Sequence, residues 1–464
     1  MQPAGAGTPP GSEIAARITP PVLDILERLW SAGFEAWVVG GSLRDLLLGR
    51  VVADWDIATS ALPEQTQGLF PGSVYENRFG TVGVRRDGTT YEVTTFRREH
   101  VYADHRRPER VDFGASVDED LARRDFTMNA LAWGGRADRP RLHDPFAGSA
   151  DLGARIIRAV GNPDERFAED ALRMLRAVRF AATLGFEVGP ETLAAIERSA
   201  ASARFLSGER VGAELRRILA APVPSVALRL MERTRVLDAV LPELAVQRGI
   251  AQNKVAGADL WDHTVATVDA VPPERPAVRL AGLFHDVAKP ATLRDGHFPD
   301  HDREGVAMAE QLLRRLAYPR RETARVAALV GHHMFDYSAH WSDAAVRRFI
   351  RRVGVSMIDD LLALREADNV GSGLPRDAGD LAELRARVAG QLDARTALAL
   401  ADLAVDGDDV RAALGISPGP EVGRVLDELL ERVLADPTLN DRDRLIEAAR
   451  EIHRQGDRGE AAQA

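Results

Sequence analysis

The sequence predicts an α+β head followed by a long all-helical body. Runs that alternate in hydropathy, and one strong hairpin signal, all fall between about residues 35 and 160. Beyond Asp164 strand signals nearly vanish and apolar residues recur at three–four spacing. A chain of 464 residues exceeds one ordinary core and suggests roughly three or four units. An apolar content of 45% with 28% charged residues describes a soluble globular protein. With no cysteine, disulfides and thiolate metal sites are excluded, which suits a reducing, cytoplasmic compartment.

Taken in order, MQPAGAGTPPGSEIAARITP (1–20) has no apolar stretch of signal-peptide length and reads as a flexible leader. EAWVVGG reads as a strand, SLRDLLLG as a short helix stopped by Gly49, and DWDIAT as a second strand. TVGVRR and TYEVTTF are alternating runs joined by Asp87-Gly88, the hairpin signal. The arginine-rich stretch RREHVYADHRRPERVDFG has no period and is expected to be a mobile loop. AEDALRMLRAVRFAATL and AVRLAGLFHDVAKP then carry helical spacing, with GFEVGP, PVPS and PPERP at the joints. The boundaries that follow are 21–160 for the head, 161–250 for a helical neck and body, 251–372 for a histidine-bearing domain, and 373–464 for a helical tail. No apolar run is long enough to span a bilayer.

The net charge of −10 argues against indiscriminate nucleic-acid binding but leaves room for a local basic groove. Of the 60 lysines and arginines only Lys254 and Lys289 are lysine. That bias, with abundant alanine, has the look of a high-GC genome and weakens arginine clusters as evidence for phosphate contacts.

Chemistry concentrates first in VVGGSLRDLLLGRVVADWDIATS. On one strand, Asp54 and Asp56 would project to the same side. Two adjacent carboxylates repel unless a cation lies between them, and magnesium takes oxygen ligands. Glu92, a charge inside TYEVTTF, is the candidate third carboxylate. Gly40-Gly41-Ser42 runs from a strand directly into a helix, where backbone N–H groups favour an anion and glycine allows close approach. Arg44, in the first helical turn, can reach the same anion. Arg173, Arg176 and Arg179 recur every three residues after Asp170 and form a slowly winding stripe.

GGSLRDLLLGRVVADWDIAT resembles the first motif of class II nucleotidyltransferases of the polymerase-β superfamily, the CCA-adding tRNA nucleotidyltransferases and bacterial poly(A) polymerases. RRDFTMNAL, HDPFAGSADLGARIIRAVGNP and ERFAEDALRMLRAVRFAATLGF resemble, in order, the ribose-reading motif, the head–neck connector and the base-reading helix of that family. The resemblance implies a polymerase-β-like head with a small mixed sheet. It implies Gly41 and Arg44 on the nucleotide phosphates, magnesium on Asp54 and Asp56, Arg124 and Asp125 near the ribose, and Asp170 and Arg173 at the base edge. Arg176 and Arg179 continue that face. The implied partners are tRNA, CTP and ATP, without a membrane, and the implied reaction is addition of C, C and A to the tRNA 3′ end. Poly(A) synthesis and partial CC or A addition remain open beside it. YENRFGTVGV (75–84) resembles the Phe-Gly-Thr stretch of the CCA-adding branch.

Finally, LAGLFHDVAKP places His285-Asp286 on an apolar helix, where the pair needs partners. With His263 upstream and Asp368 downstream the order resembles an HD domain. The resemblance implies one divalent ion on His263, His285, Asp286 and Asp368, with His301 and His332 as candidates for a second ion or for a phosphate. Such a centre hydrolyses phosphate esters through a metal-activated water. A phosphohydrolase carrying an RNA-binding head is accordingly the reading from a different class.

Overall fold

The computed structural model describes residues 11–75, 80–100, 110–114, 116–252, 254–394 and 396–461. The chain divides into two units, Met1–Val246 with Arg315–Tyr318, and Gln247–Arg314 with Pro319–Ala464.

In the first unit the strands are β1 (Ala36–Val39), β2 (Asp56–Thr59), β3 (Val74–Tyr75), β4 (Thr81–Arg86), β5 (Thr89–Thr95), β6 (Arg97–His100), β7 (Arg110–Phe113), β8 (Ala132–Gly135), β9 (Arg141–His143) and the short parallel pair β10 (Ile156–Ile157) and β11 (Glu187–Val188). Seven of them form one mixed sheet in the order β3-β4-β5-β2-β1-β8-β9. All four residues of β1 are buried. Trp37 and Val39 pack there with Ala58, Phe96, Leu121 and Ala132. A fully apolar β1 therefore belongs inside the sheet, between β2 and β8. β2 pairs with β5 in parallel and sets Asp56 opposite Glu92. Asp87 and Gly88 both have positive φ, 48° and 79°, the conformation a two-residue hairpin between β4 and β5 requires.

Three expectations need correction. The arginine-rich stretch begins and ends as paired strands, β6 against β7, with residues 101–109 outside the described ones. Its polar composition hid the alternation. Residues 1–10 of the leader, and 76–79 of the Tyr75–Val84 run, also lie outside the described residues. From Gly11 onward, however, the leader is built into the unit: Gly11–Ala15 is helical and Ile14 and Ile18 are buried. The base-reading segment is two helices, Pro163–Glu169 and Leu172–Leu184, rather than one. Asp170 stands at the break with φ −148°, and its Oδ1 accepts from the Leu172 backbone N–H at 3.0 Å. A carboxylate that caps the next helix from outside ends the previous one. Helices Pro190–Ser199, Gly208–Leu219 and Ser225–Arg233 follow.

The second unit is helical. Asp259 caps Leu260–Ala270 by accepting from the Asp262 N–H. Helices Pro276–Phe284, Arg320–His332 and Ile358–Gly371 follow it in sequence. A Cβ on Gly371 would lie 2.2 Å from Thr267 Oγ1, so glycine is what allows the Ile358–Gly371 helix its close approach to Leu260–Ala270. Arg347, on helix Asp343–Val353, is buried and donates to the Leu434 carbonyl at 2.7 Å and to Gln391 at 2.8 Å. It ties that helix to Leu381–Asp393 and Pro420–Ala435 of the tail. Among the described residues no helix is long and apolar enough to cross a membrane.

Candidate active site and candidate metal centre

Helix Gly40–Leu47 starts directly from β1 because Gly40 takes φ +68°. A Cβ there would meet Arg124 Nη1 at 2.6 Å and Asp56 Oδ2 at 3.2 Å, so only glycine leaves both side chains in place. Ser42 Oγ donates to the Val39 carbonyl at 2.7 Å and accepts from the Asp56 N–H at 3.3 Å, latching the start of β2 to the helix start.

Over this corner opens a cavity of about 970 Å³. Its lining holds nine arginines, among them Arg44, Arg124, Arg173, Arg176, Arg179 and Arg210, against four carboxylates, Asp56, Asp125, Asp170 and Glu209. That excess of cations makes it an anion site in a chain of negative net charge. The structure thus gathers Gly41, Asp56, Arg44, Arg124, Asp125, Asp170, Arg173, Arg176 and Arg179 around one space. Asp54 and Glu92 are not among its lining. Because β2 begins only at Asp56, Asp54 lies in the bend before it, and the two aspartates do not share a strand face as expected. Asp54 is nevertheless close enough for its charge, together with the burial that dominates, to push the Asp56 carboxyl up against the pull of Arg124 and Arg44.

The arginines are pre-positioned. Arg44 binds Asp45 through Nε and Nη2, donates from Nη1 to Asn129 Oδ1 at 2.8 Å, and lies over the Phe180 ring. Asn129 also donates to Asp125 Oδ1 at 2.9 Å, and its carbonyl accepts from Arg124 at 3.3 Å. It therefore ties together three of the residues expected to contact nucleotide. Asn129 lies within RRDFTMNAL, yet the resemblance assigns it no role of its own. Asp125 is buried, which opposes its charge, yet Arg176 Nε at 2.7 Å, Asn129 and the Phe126 N–H hold its carboxyl down at about 2. Arg179 bonds Glu214 at 2.6 Å and stacks over Phe180.

Asp170 and Arg173 do not pair with each other. Arg173 donates to Glu169 at 2.6 Å and to the Arg166 and Arg123 carbonyls. Asp170 Oδ2 accepts from Arg210 Nη2 at 2.7 Å, while Arg210 Nη1 is buried without a hydrogen-bond partner. Arg210, from helix Gly208–Leu219, carried no sequence signal because it reaches the site only through tertiary packing.

The second unit holds a different centre. His263 Nε2 lies 3.0 Å from His285 Nε2, 3.3 Å from Asp286 Oδ2 and 3.2 Å from Asp368 Oδ1. His301 and His333 approach Asp286 Oδ1 at 3.4 and 3.6 Å. Two three-ligand groups result, His263-His285-Asp286 and Asp286-His301-His333, with Asp286 common to both. The expected His332 is therefore replaced by its neighbour His333, which the last turn of helix Arg320–His332 points inward and buries. The Nδ1 atoms of His285, His301 and His333 each face a carbonyl three residues earlier, Gly282, Phe298 and Val330, at 2.8, 2.8 and 2.6 Å. Such bonds fix the tautomer and turn each Nε2 lone pair to the centre. Burial holds the His285 imidazole below its usual value, hence neutral. Neither Asp286 oxygen makes a hydrogen bond of acceptable geometry, although Lys289 Nζ stands 2.6 Å from Oδ2. Buried carboxylate oxygens surrounded by imidazole lone pairs fit a divalent cation. Among the described residues, the three-ligand groups are these two, and none includes Asp54, Asp56 or Glu92.

Similarity to known proteins follows the same division. Residues 36–158 match the poly(A) polymerase head domain, 185–247 the "Probable RNA and SrmB-binding site of polymerase A", and 304–449 a tRNA nucleotidyltransferase domain 2 model. The CCA-adding enzyme of Geobacillus kaustophilus is 47% identical over 240 residues, which is 52% of this chain and 58% of that relative. The chain thus spans little more than half the length of that relative and of similar ones. The CCA-adding enzyme of Streptococcus mutans is 33% identical over 432 residues, covering 92% of this chain and 96% of the relative. The crystal structure of the Bacillus stearothermophilus CCA-adding enzyme in complex with CTP superposes with a TM-score of 0.70 at 29% identity, over 95% of this chain and 100% of that one. With the glycine-opened helix start, the arginine cavity and a match along nearly the whole S. mutans relative, the chain belongs to the family of CCA-adding enzymes.

Proposed function

We propose that the first unit adds C, C and A from CTP and ATP to the 3′ end of tRNA. The observation that carries the reading is one cationic cavity holding the Gly41–Arg44 helix start, Asp56, and the Asp170 and Arg173 side chains together. The names of the S. mutans relative and of the CTP-bound neighbour support it. So does the tRNA-bound CCA-adding enzyme of Thermotoga maritima at the level of fold, with a TM-score of 0.62 at 19% identity.

Asp54 and Asp56 are the residues that would hold magnesium. The fit rests on oxygen donors at one sheet end, where Asp56 is under-neutralised by its arginines. Bound there, magnesium supplies charge neutralisation at the triphosphate. The chain's own groups do the positioning. Backbone N–H groups at Gly40-Gly41 and the fixed Arg44 guanidinium hold phosphates, Arg124 and Asp125 hold the sugar end, and Asp170 with Arg173 offer acceptor and donors to the base edge. The RNA 3′-hydroxyl oxygen bonds to the α-phosphorus, the bond to pyrophosphate breaks, and the hydroxyl proton leaves. Glu92, the register neighbour of Asp56, would accept that proton or add an oxygen ligand, a role that the register supports. The cysteine-free composition supports a cytoplasmic setting.

Purified protein, magnesium and separately labelled CTP and ATP are incubated with tRNA ending before CCA, and the 3′ ends are sequenced. Ordered C, C, A that disappears in Asp54→Ala is the expected result. Long A tails would select poly(A) synthesis, CC or A alone a partial enzyme, and no addition to any RNA end would remove the reading.

A second reading concerns the histidine centre, and the orphaned Asp286 oxygens favour it. It is a divalent-metal site on His263, His285, Asp286 and Asp368, extended by His301 and His333, that hydrolyses a phosphate ester. Water oxygen bonds to phosphorus, the ester P–O bond breaks, and a water proton goes to the leaving oxygen. Metal analysis of the purified protein, with p-nitrophenyl phosphate turnover, tests it; no bound divalent metal and no turnover would remove it.

A further inference from the structure

The arginine bias of the chain makes its two lysines informative. Every other lysine-or-arginine position is arginine, yet Lys254 and Lys289 both line one cavity of about 570 Å³ in the second unit, beside the histidine centre. An ammonium is a compact point charge with three rotatable donors, and a planar guanidinium does not substitute for it where space is short or the acceptor is a single oxygen. Lys289 is 7% exposed at its side chain, with Nζ 2.6 Å from Asp286 Oδ2 and within 5.3 Å of the Phe298 ring centre. Lys254 Nζ donates to Ser372 Oγ at 3.0 Å and lies 3.9 Å from Asp368 Oδ1. One lysine thus stands at each carboxylate of the centre. Arg365, 3.1 Å from Asp368 Oδ2, also lines the cavity.

Three cations face the two carboxylates of the lining, so the cavity carries excess positive charge even without a metal. An anion is the ligand that this charge selects. The rim is different: Met334 and Leu374 are about half exposed, at 53% and 51%, and face the same space. A ligand with an anionic head and an apolar body matches both parts.

We propose that Lys254 and Lys289 clamp the non-bridging oxygens of a phosphate ester at the histidine centre, with the ester's organic group against Met334 and Leu374. This rests on the phosphohydrolase reading above, and it identifies two substrate-binding residues that the motif set does not contain. Lys289 binds from the Asp286 side and Lys254 from the Asp368 side. The two carboxylates hold the ammonium groups in place until phosphate oxygens arrive.

The test uses the full-length chain and inorganic phosphate as probe. Orthophosphate binding is measured by calorimetry on metal-free protein and on protein loaded with manganese, for the native chain, Lys254→Arg, Lys254→Ala and Lys289→Arg. Metal content and thermal unfolding are followed on the same samples. Both lysine positions are expected to weaken phosphate binding about tenfold or more, the size of a lost charge-assisted hydrogen bond. In Lys254→Arg, metal content and unfolding temperature are expected to stay native, which a purely structural lysine would not predict. Lys254 is 36% exposed at its side chain against 7% for Lys289, so its variants keep the test decisive if Lys289→Arg fails to fold. Native phosphate affinity in folded Lys254→Arg and Lys254→Ala, or no phosphate binding by the native chain in either metal state, would overturn the clamp. Absence of bound metal from the native protein would instead strike the hydrolase reading, while the metal-free titration still decides the lysines.

Discussion

The arginine cavity of the first unit and the histidine centre of the second treat their carboxylates in opposite ways. In the cavity, Asp125 and Asp170 are already neutralised by Arg176 and Arg210 at 2.7 Å each. In the histidine centre, Asp286 is fully enclosed, and its oxygens have charge nearby but no well-formed hydrogen bond. The first arrangement has its carboxylates paired by the protein itself and keeps an excess of guanidinium groups. The second gathers imidazole nitrogens and a carboxylate into groups that could hold a metal ion. The difference teaches that a perturbed carboxylate marks a site only when its partners are read with it. Guanidinium partners describe a preorganised scaffold, and converging imidazole lone pairs describe a ligand set.

The largest effect that would break this contrast is at Asp286. Asp286→Ala in metal-free protein leaves Lys289 and the inward-facing histidines without their counter-charge. About 3–5 kcal/mol of the second unit's stability should be lost, read by urea unfolding. Native stability would show that the centre is not organised around that carboxylate. In the head, Asp56→Ala should lower nucleotide incorporation about 10²–10³-fold, since charge stabilisation in the transition state disappears while the arginines still bind triphosphate. An unchanged single-turnover rate would transfer the role to another group.

Acid sharpens the comparison. Asp125 titrates at about 2 against an ordinary 3.8, so it binds a proton less readily in the folded protein. Its contribution is fully present above 3.8 and is lost as the pH falls through about 2. The depression corresponds to about 2 kcal/mol, and Asp125→Asn should flatten that limb of the stability–pH curve. An acid limb identical to the native one would mean that the Arg176 pair does not form. A smaller effect is expected from Arg210→Ala. It frees the Asp170 carboxylate and should raise KM for CTP and ATP about tenfold with little change in kcat, while Arg210→Lys restores part of the loss. A fall in kcat at unchanged KM would place Arg210 in the chemistry instead of in base positioning.

Much of both sites was legible in the chain. Gly40-Gly41 before an apolar helix, the Asp87-Gly88 hairpin and His285-Asp286 within an apolar run are local signals, and Gly40, Asp87 and Gly88 take the positive φ that their positions demand. The misreadings share one cause. Asp54 was placed on a strand that hydrogen bonding begins only at Asp56, and Asp170 was placed inside a helix that its own side chain interrupts. His332 was chosen over His333, although adjacent residues on a helix point about 100° apart and only packing decides which one faces inward.

By itself, then, the sequence determined the α+β head, the helical remainder, the glycine-opened anion corner and the residue types of the histidine set, because these depend on periodicity and backbone freedom over a few neighbours. Tertiary structure alone decided that Asn129 ties Arg44 to Asp125, that Arg210 rather than Arg173 holds Asp170, that Asp286 is shared by two ligand groups, and that both lysines meet in one cavity. Most of those contacts join residues tens of positions apart, as Arg44 with Asn129 and Asp170 with Arg210. Burial is what gives them their force, since an unpaired charge in the interior must find a partner or a cation.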